Sequence, residues 1–165
     1  MRPALLSAPV ILAAGLLSTS SAWAVDALGQ QTAKLCFSLH DAALAGGYSW
    51  GKGRLYYGTH SYPVKVKGGG AVGFGYSKLK GDGKVYNLAR LSDINGTYWS
   101  VRAEATMGRG RNVVVMDNNK AVDIKASMHT NGAHLAAAVM RLTLHVDPGG
   151  ERPDTMPTTC SFPIR

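Results

Sequence analysis

Along most of this chain the hydrophobic pattern has a period of two, and a period near 3.6 fits only one stretch. In Tyr62–Lys67, Val64 and Val66 take one face and Lys65 and Lys67 the other, as in a half-buried strand. Thr97–Met107 alternates longest: Trp99, Val101, Ala103, Ala105 and Met107 share one face, and Tyr98, Ser100, Arg102, Glu104 and Thr106 share the other. Val122, Ile124, Ala126 and Met128 alternate in the same way against Asp123, Lys125, Ser127 and His129. Within Leu135–Val146 the apolar parity changes, from Leu135, Ala137 and Val139 to Leu142, Leu144 and Val146, which predicts a bulge near Val139–Met140. An Ala-rich helix over His134–Met140 is the competing reading of that segment. Further candidate strands are Tyr48–Trp50, Arg54–Tyr57, Ala71–Ser77, Lys84–Leu91 and Asn112–Met116. Turn chemistry separates them at Gly81-Asp82-Gly83, Asn95-Gly96, Gly108 and Gly110, Asn118-Asn119 and Asn131-Gly132. The helical period falls on Asp26–Ala45, where Leu28, Leu35, Leu39 and Ala43 make a stripe, Asp26 is a capping residue and Gly46-Gly47 a stop. Lys34–His40 also alternates as a strand would.

The stretch Gly46–Gly75 interleaves ten glycines with Tyr48, Trp50, Tyr56, Tyr57, Tyr62 and Phe74. That density of glycine opposes a helix, and that density of aromatics opposes a linker. Short, strongly bent strands remain, with Gly where the sheet curls or two backbones approach. The fold class is therefore all-β: a small antiparallel, Gly-rich curled sheet or barrel of about nine strands, with or without one short helix in front. The tail from Asp147 carries Pro148, Pro153, Pro157 and Pro163 and is expected to lie over the barrel without regular structure.

Residues 1–24 read as a secretory signal peptide, with Arg2 in the n-region, an apolar core over Ala4–Leu17 and Ala22-Trp23-Ala24 at the cleavage site. The expected domains are then the signal peptide 1–24, a single barrel-like domain 25–146 and a Pro-rich tail 147–165, in the periplasm or secreted. No further run has the length of a transmembrane segment. An oxidising compartment and an even cysteine count predict a Cys36–Cys160 disulfide that pins the tail.

The whole chain carries 18 Lys and Arg against 10 Asp and Glu; without Arg2 this leaves 17 − 10 = +7. The excess is local. From Lys52 to Arg90 lie Lys52, Arg54, Lys65, Lys67, Lys78, Lys80, Lys84 and Arg90, with Asp82 the only acid. Such a run attracts polyanions or anionic head groups. In the expected compartment these are envelope lipids or glycans rather than nucleic acid. Arg54, Lys65, Lys67, Lys78 and Lys80 are the candidate charged contacts, and Trp50, Tyr57 and Phe74 the apolar ones.

Catalytic motifs fare poorly. Gly68-x-Gly70-x-x-Gly73 has the spacing of a dinucleotide fingerprint, but a strand follows it rather than a helix. Ser77-Lys78-Leu79-Lys80 matches S-x-x-K, yet on a strand positions three apart face opposite ways, and the partner motifs S-D-N and K-T-G are missing. Hairpin pairing across Asn131-Gly132 sets His129 opposite His134 with no third ligand in view. Neither an enzyme nor a cofactor or metal site is expected.

The pattern G-x-x-W-G-K-G-x-L-Y within Gly47–Tyr57, with Gly68–Gly75 and Val85-Tyr86-Asn87-Leu88, resembles the small envelope-integrity barrels of alphaproteobacteria. It is also similar to the glycine-rich strands of SYLF lipid-binding domains; the likeness covers roughly a third of the chain after residue 24 and rests on glycine spacing. The resemblance implies a periplasmic, helix-preceded β-barrel with a cationic pocket, no catalysis, and a role in cell-envelope maintenance. The two cysteines and the Pro-rich tail depart from that pattern. Together these readings point to a non-enzymatic envelope protein that binds an anionic lipid or glycan. The alternative is a small disulfide-bonded inhibitor or module that binds a periplasmic protein.

Overall fold

The computed structural model describes residues 28–42, 48–70, 76–105, 111–131 and 139–162. Its strands are β1 (Gln31–Ala42), β2 (Tyr48–Tyr57), β3 (His60–Gly70), β4 (Tyr76–Tyr86), β5 (Gly96–Ala105), β6 (Arg111–Asp117), β7 (Asp123–Asn131), β8 (Val139–Val146) and β9 (Arg152–Pro153). Short 3-10 turns span Leu91–Ile94 and Pro148–Gly150. The hydrogen-bonded order is β2-β1-β4-β7-β6-β5-β8-β3, and β3 pairs back onto β2, so eight antiparallel strands close into a barrel. The two-residue β9 continues along the β8 side of β3, pairing Pro153 with His60 and Arg152 with Ser61.

The segment expected as a helix is a strand. Ala33, Leu35, Phe37 and Leu39 are each 0–1 % exposed and all point inward, so burial follows the period of two. Of the expected helical stripe, Leu35 and Leu39 belong to that alternation, Leu28 precedes the strand, and Ala43 lies outside the described residues. Opposite these residues stand Leu55 on β2, Val64 and Val66 on β3, Val85 on β4 and Ile124, Ala126 and Met128 on β7, all buried. Side chains thus fill the interior, as the girth of an eight-stranded barrel allows.

Glycine serves clearance here more than turning. Gly81 of β4 and Gly53 of β2 both pair with Phe37, one on each side. A Cβ on Gly81 would sit 2.2 Å from Cζ of Phe37, so the ring occupies the space that glycine leaves. At Gly51 a Cβ would lie 1.9 Å from the Ser38 carbonyl oxygen, a clash with backbone. Two expected breaks therefore vanish. Tyr48–Trp50 and Arg54–Tyr57 are one strand running through Gly51 and Gly53, and Gly81-Asp82-Gly83 is mid-strand rather than a turn.

The parity change in the last long strand is a bulge at the expected place. Gly69 pairs with Arg141 and Gly70 with Val139, leaving Met140 unmatched. A second irregularity was not foreseen. Ser100 pairs with Met116 and Arg102 with Val115, so Val101 is the extra residue. Tyr98, not Trp99, faces the core before it, fully buried with its hydroxyl donating to the Ile94 carbonyl at 2.9 Å; Trp99 is 55 % exposed.

Turn chemistry held at Asn118, whose Oδ1 accepts from the amides of Lys120 and Val122 while Nδ2 donates to the Asp93 carbonyl. Asn95 closes the first 3-10 turn and its Oδ1 accepts from Val146 N at 2.7 Å. The tail is more ordered than its prolines suggested: Asp147 caps the second 3-10 turn by accepting from Gly149 N, and β9 follows.

Candidate functional site: a cationic outer wall

Residues that alternate with the core set point outward, and on adjacent strands the register lines them up. Across β8, β3, β2, β1, β4, β7 and β6 one row of pairing partners reads His145, Lys65, Lys52, Ser38, Lys80, His129, Arg111. The next row reads Thr143, Lys67, Trp50, His40, Lys78, Asn131. Neither row contains a carboxylate. Lys52 and Lys65 are directly opposed, both exposed, and Lys67 is exposed beside them. Among the described residues, no carboxylate lies within ion-pairing distance of these three. Directly opposed like charges destabilise a sheet.

The other end of the same wall is covered. Beyond β9, residues 154–162 run from β3 across the outer side of β1 and β4. Asp154 N donates to the Thr59 carbonyl at 2.9 Å, and the Asp154 carboxylate accepts from the Ser61 hydroxyl at 3.2 Å. Cys160 is bonded to Cys36 with Cα atoms 5.5 Å apart, confirming the expected disulfide. Beneath this strap Lys34, on the outer side of β1, is 4 % exposed; its ammonium donates to the Thr158 carbonyl and sits 3.1 Å from Oδ1 of Asp82. Oδ2 of Asp82 accepts from Cys160 N at 3.1 Å. Glu151, next to the strap, accepts from the Tyr62 hydroxyl at 2.8 Å, and this bond to the phenol raises the Tyr62 pKa.

The sequence-derived contacts therefore divide. Lys65 and Lys67 lie on the open wall with Trp50, which is 47 % exposed and pairs with Lys67. Lys80 is half-buried with Phe162 of the strap 5.3 Å from its ammonium. Arg54 is 9 % exposed and donates to the Ser61 hydroxyl at 2.9 Å, which withdraws it from the open wall. Tyr57 is at the far end of β2, half-buried against the core, its hydroxyl donating to the Ala89 carbonyl at 2.9 Å. Lys78 holds the register position opposite His40. Phe74 and His134 lie outside the described residues, as do residues 1–24, the segment expected to be a signal peptide; His129 pairs with Lys80 and Arg111.

Lys52, although counted in the basic run, was not among the expected contacts; Trp99 was grouped with the apolar face of its strand, and Arg141 was not singled out. Arg141 pairs with Trp99 across β8 and β5, its guanidinium 5.8 Å from the indole centroid. The bulge at Val101 hid the outward turn of Trp99.

Among solved structures, the chain resembles a β-barrel-like, uncharacterized protein of Brucella abortus, with a TM-score of 0.51 and 24 % identity over 69 % of this chain and 72 % of that one. No protein-family model and no curated protein matches the chain. The likeness shows a shared fold, and it agrees with the alphaproteobacterial barrels that the glycine spacing suggested; the SYLF resemblance finds no support.

Proposed function

We propose that this barrel is a non-enzymatic binding protein of the cell envelope that holds an anionic lipid or glycan against its open wall. The observation that carries the reading is the Lys52–Lys65 pair, two exposed ammonium groups opposed across β2 and β3 with Lys67 beside them. A fold that only needed solubility would intersperse carboxylates among them, as the rest of the surface does at Asp123 and Glu151. An anionic partner converts the repulsion into attraction, so the charge that weakens the free protein strengthens the complex. The filled interior directs binding to the outside of the barrel. The signal-peptide pattern and the disulfide agree with an extracytoplasmic setting.

The test is binding of the purified protein to a soluble sulfated polysaccharide and to phosphatidylglycerol vesicles over a salt series. Binding should weaken steeply as salt rises, because exposed charges are screened over about 8 Å at physiological ionic strength. Lys52→Glu with Lys65→Glu should abolish it, and Lys84→Glu with Lys120→Glu, away from the two rows, should leave most of it. Equal loss in both double variants would reduce the effect to net charge and end the proposal.

A further inference from the structure

Two tryptophans are the large hydrophobic side chains most exposed on the described surface, and both belong to the stretch of wall that carries the unpaired lysines. Trp50 is 47 % and Trp99 55 % exposed. Each has a cation as its partner on one neighbouring strand, Lys67 for Trp50 and Arg141 for Trp99; on the other side Trp99 pairs with Asp117 of β6, and the strip ends there. From Trp99 the register runs through Arg141 to Gly69 of β3, and Lys67 and Trp50 lie one diagonal step further. Three strand spacings and two residues of rise put the indoles about 16 Å apart along the sheet. Gly69 has a role in this arrangement. A Cβ there would come within 3.3 Å of the Arg141 guanidinium, so the missing side chain lets Arg141 lie along the wall toward the indole.

We infer that the strip of wall from Trp99 on β5 to Trp50 on β2 docks on the surface of an anionic phospholipid bilayer. The inference rests on the anion-binding reading above and commits it to one source of anion. Shape decides between the sources. The outside of a barrel is convex, whereas a site that encloses a single small molecule is concave. A bilayer surface presents many phosphates that rearrange around a convex patch. Indole rings favour the headgroup layer, where the ring is half desolvated and its N–H keeps a polar partner. Lys67 and Arg141 place their charges at the level of the two rings, and Lys52 and Lys65 stand one row behind to meet further phosphates. Long basic side chains beside interfacial aromatics extend their heads to the phosphates while their stems stay against the apolar layer.

Full-length protein with Trp23→Phe leaves Trp50 and Trp99 as the only indoles of the chain. Mixed with phosphatidylglycerol vesicles that carry brominated acyl chains, its fluorescence should shift to the blue and be quenched by at least a third. The sulfated polysaccharide should bind without the blue shift. Trp50→Ala with Trp99→Ala should weaken vesicle binding tenfold or more and change polysaccharide binding by less than twofold. If lysine-dependent binding to both partners persists while the indoles are neither shifted nor quenched, this inference is overturned and the anion-binding proposal stands. If neither partner binds, both fall. Quenching uses the native indoles, so the result does not depend on the alanine variants folding.

Discussion

Lys34 and Asp82 meet at 3.1 Å on the outer side of the barrel, where strands normally present charge to water, yet Lys34 is buried. The strap that covers them supplies the remaining partners, the Thr158 carbonyl to Lys34 and Cys160 N to Asp82. Removing one charge of a buried pair strands the other. Asp82→Ala should therefore lower the unfolding free energy by about 2–3 kcal/mol, below the range for a fully buried pair because Asp82 keeps some contact with water. Lys34→Met should cost less, since Asp82 can turn to solvent. Urea titration of both variants checks the order; an equal or inverted effect would mean that Lys34 is not dry.

The disulfide closes a loop with a sequence separation of 124 residues. Chain-entropy reasoning gives such a bridge roughly 4–5 kcal/mol. Cys36→Ser with Cys160→Ser should lower the thermal midpoint and speed amide exchange in residues 154–162 far more than in β6 and β7. Peptide mapping without reductant should recover Cys36 and Cys160 as one crosslinked pair. Uniform acceleration across the barrel would show that strap and barrel unfold together.

Phe37 and Gly81 make a size-matched pair, and the match is testable in both directions. Gly81→Ala should destabilise by about 2 kcal/mol through overpacking. Combining it with Phe37→Leu should recover part of that loss, because the clash is with a ring that can be shortened. Gly51→Ala should resist any such rescue, since its Cβ meets the Ser38 carbonyl. Thermal melts of the three variants decide it.

At alkaline pH the tyrosines set the trend. Tyr62 is raised by its hydrogen bond to Glu151, and Tyr98 is raised chiefly by burial. Both hold their protons in the folded chain after an unfolded chain would begin to lose them near pH 10. Stability from these groups is complete below pH 10 and declines as pH rises through the folded values. Chemical denaturation between pH 8.5 and 11 should show the decline, and Tyr62→Phe should make it shallower. A flat profile would contradict the Tyr62–Glu151 bond.

Much of the barrel was legible because its inward residues obey a period of two: Val64 and Val66, then Val122 through Met128, and the parity break that located the Met140 bulge. Asp26–Ala45 misled because Leu35 and Leu39 satisfy both periods, and only the burial of Ala33 and Phe37 separates them. Glycine misled for a different reason. Gly81 and Gly83 look like a turn in sequence, but they give room to Phe37 and Leu35, which are more than forty residues away along the chain. The wall was half legible. Lys65 and Lys67 could be assigned to one face from local alternation, whereas joining them to Lys52, Trp99 and Arg141 needed the strand order. The loss of Arg54 to the Ser61 side could not be anticipated, because Ser61 is itself held by Asp154 from the far end of the chain.

The strand order also dictates when the molecule can close. β3 is made early but waits for β8 and β9, and β1 must hold β4 while β4 waits for β7. A chain emerging from its N-terminus can assemble the β1–β2–β3 meander from neighbouring segments, yet its sheet keeps an open edge until Val139–Val146 arrives. Contacts of such long sequence separation are slow to form. Cys160 comes later still, so in a chain made from its N-terminus the segment that ties the strap to β1 is available only once every strand of the barrel has been made.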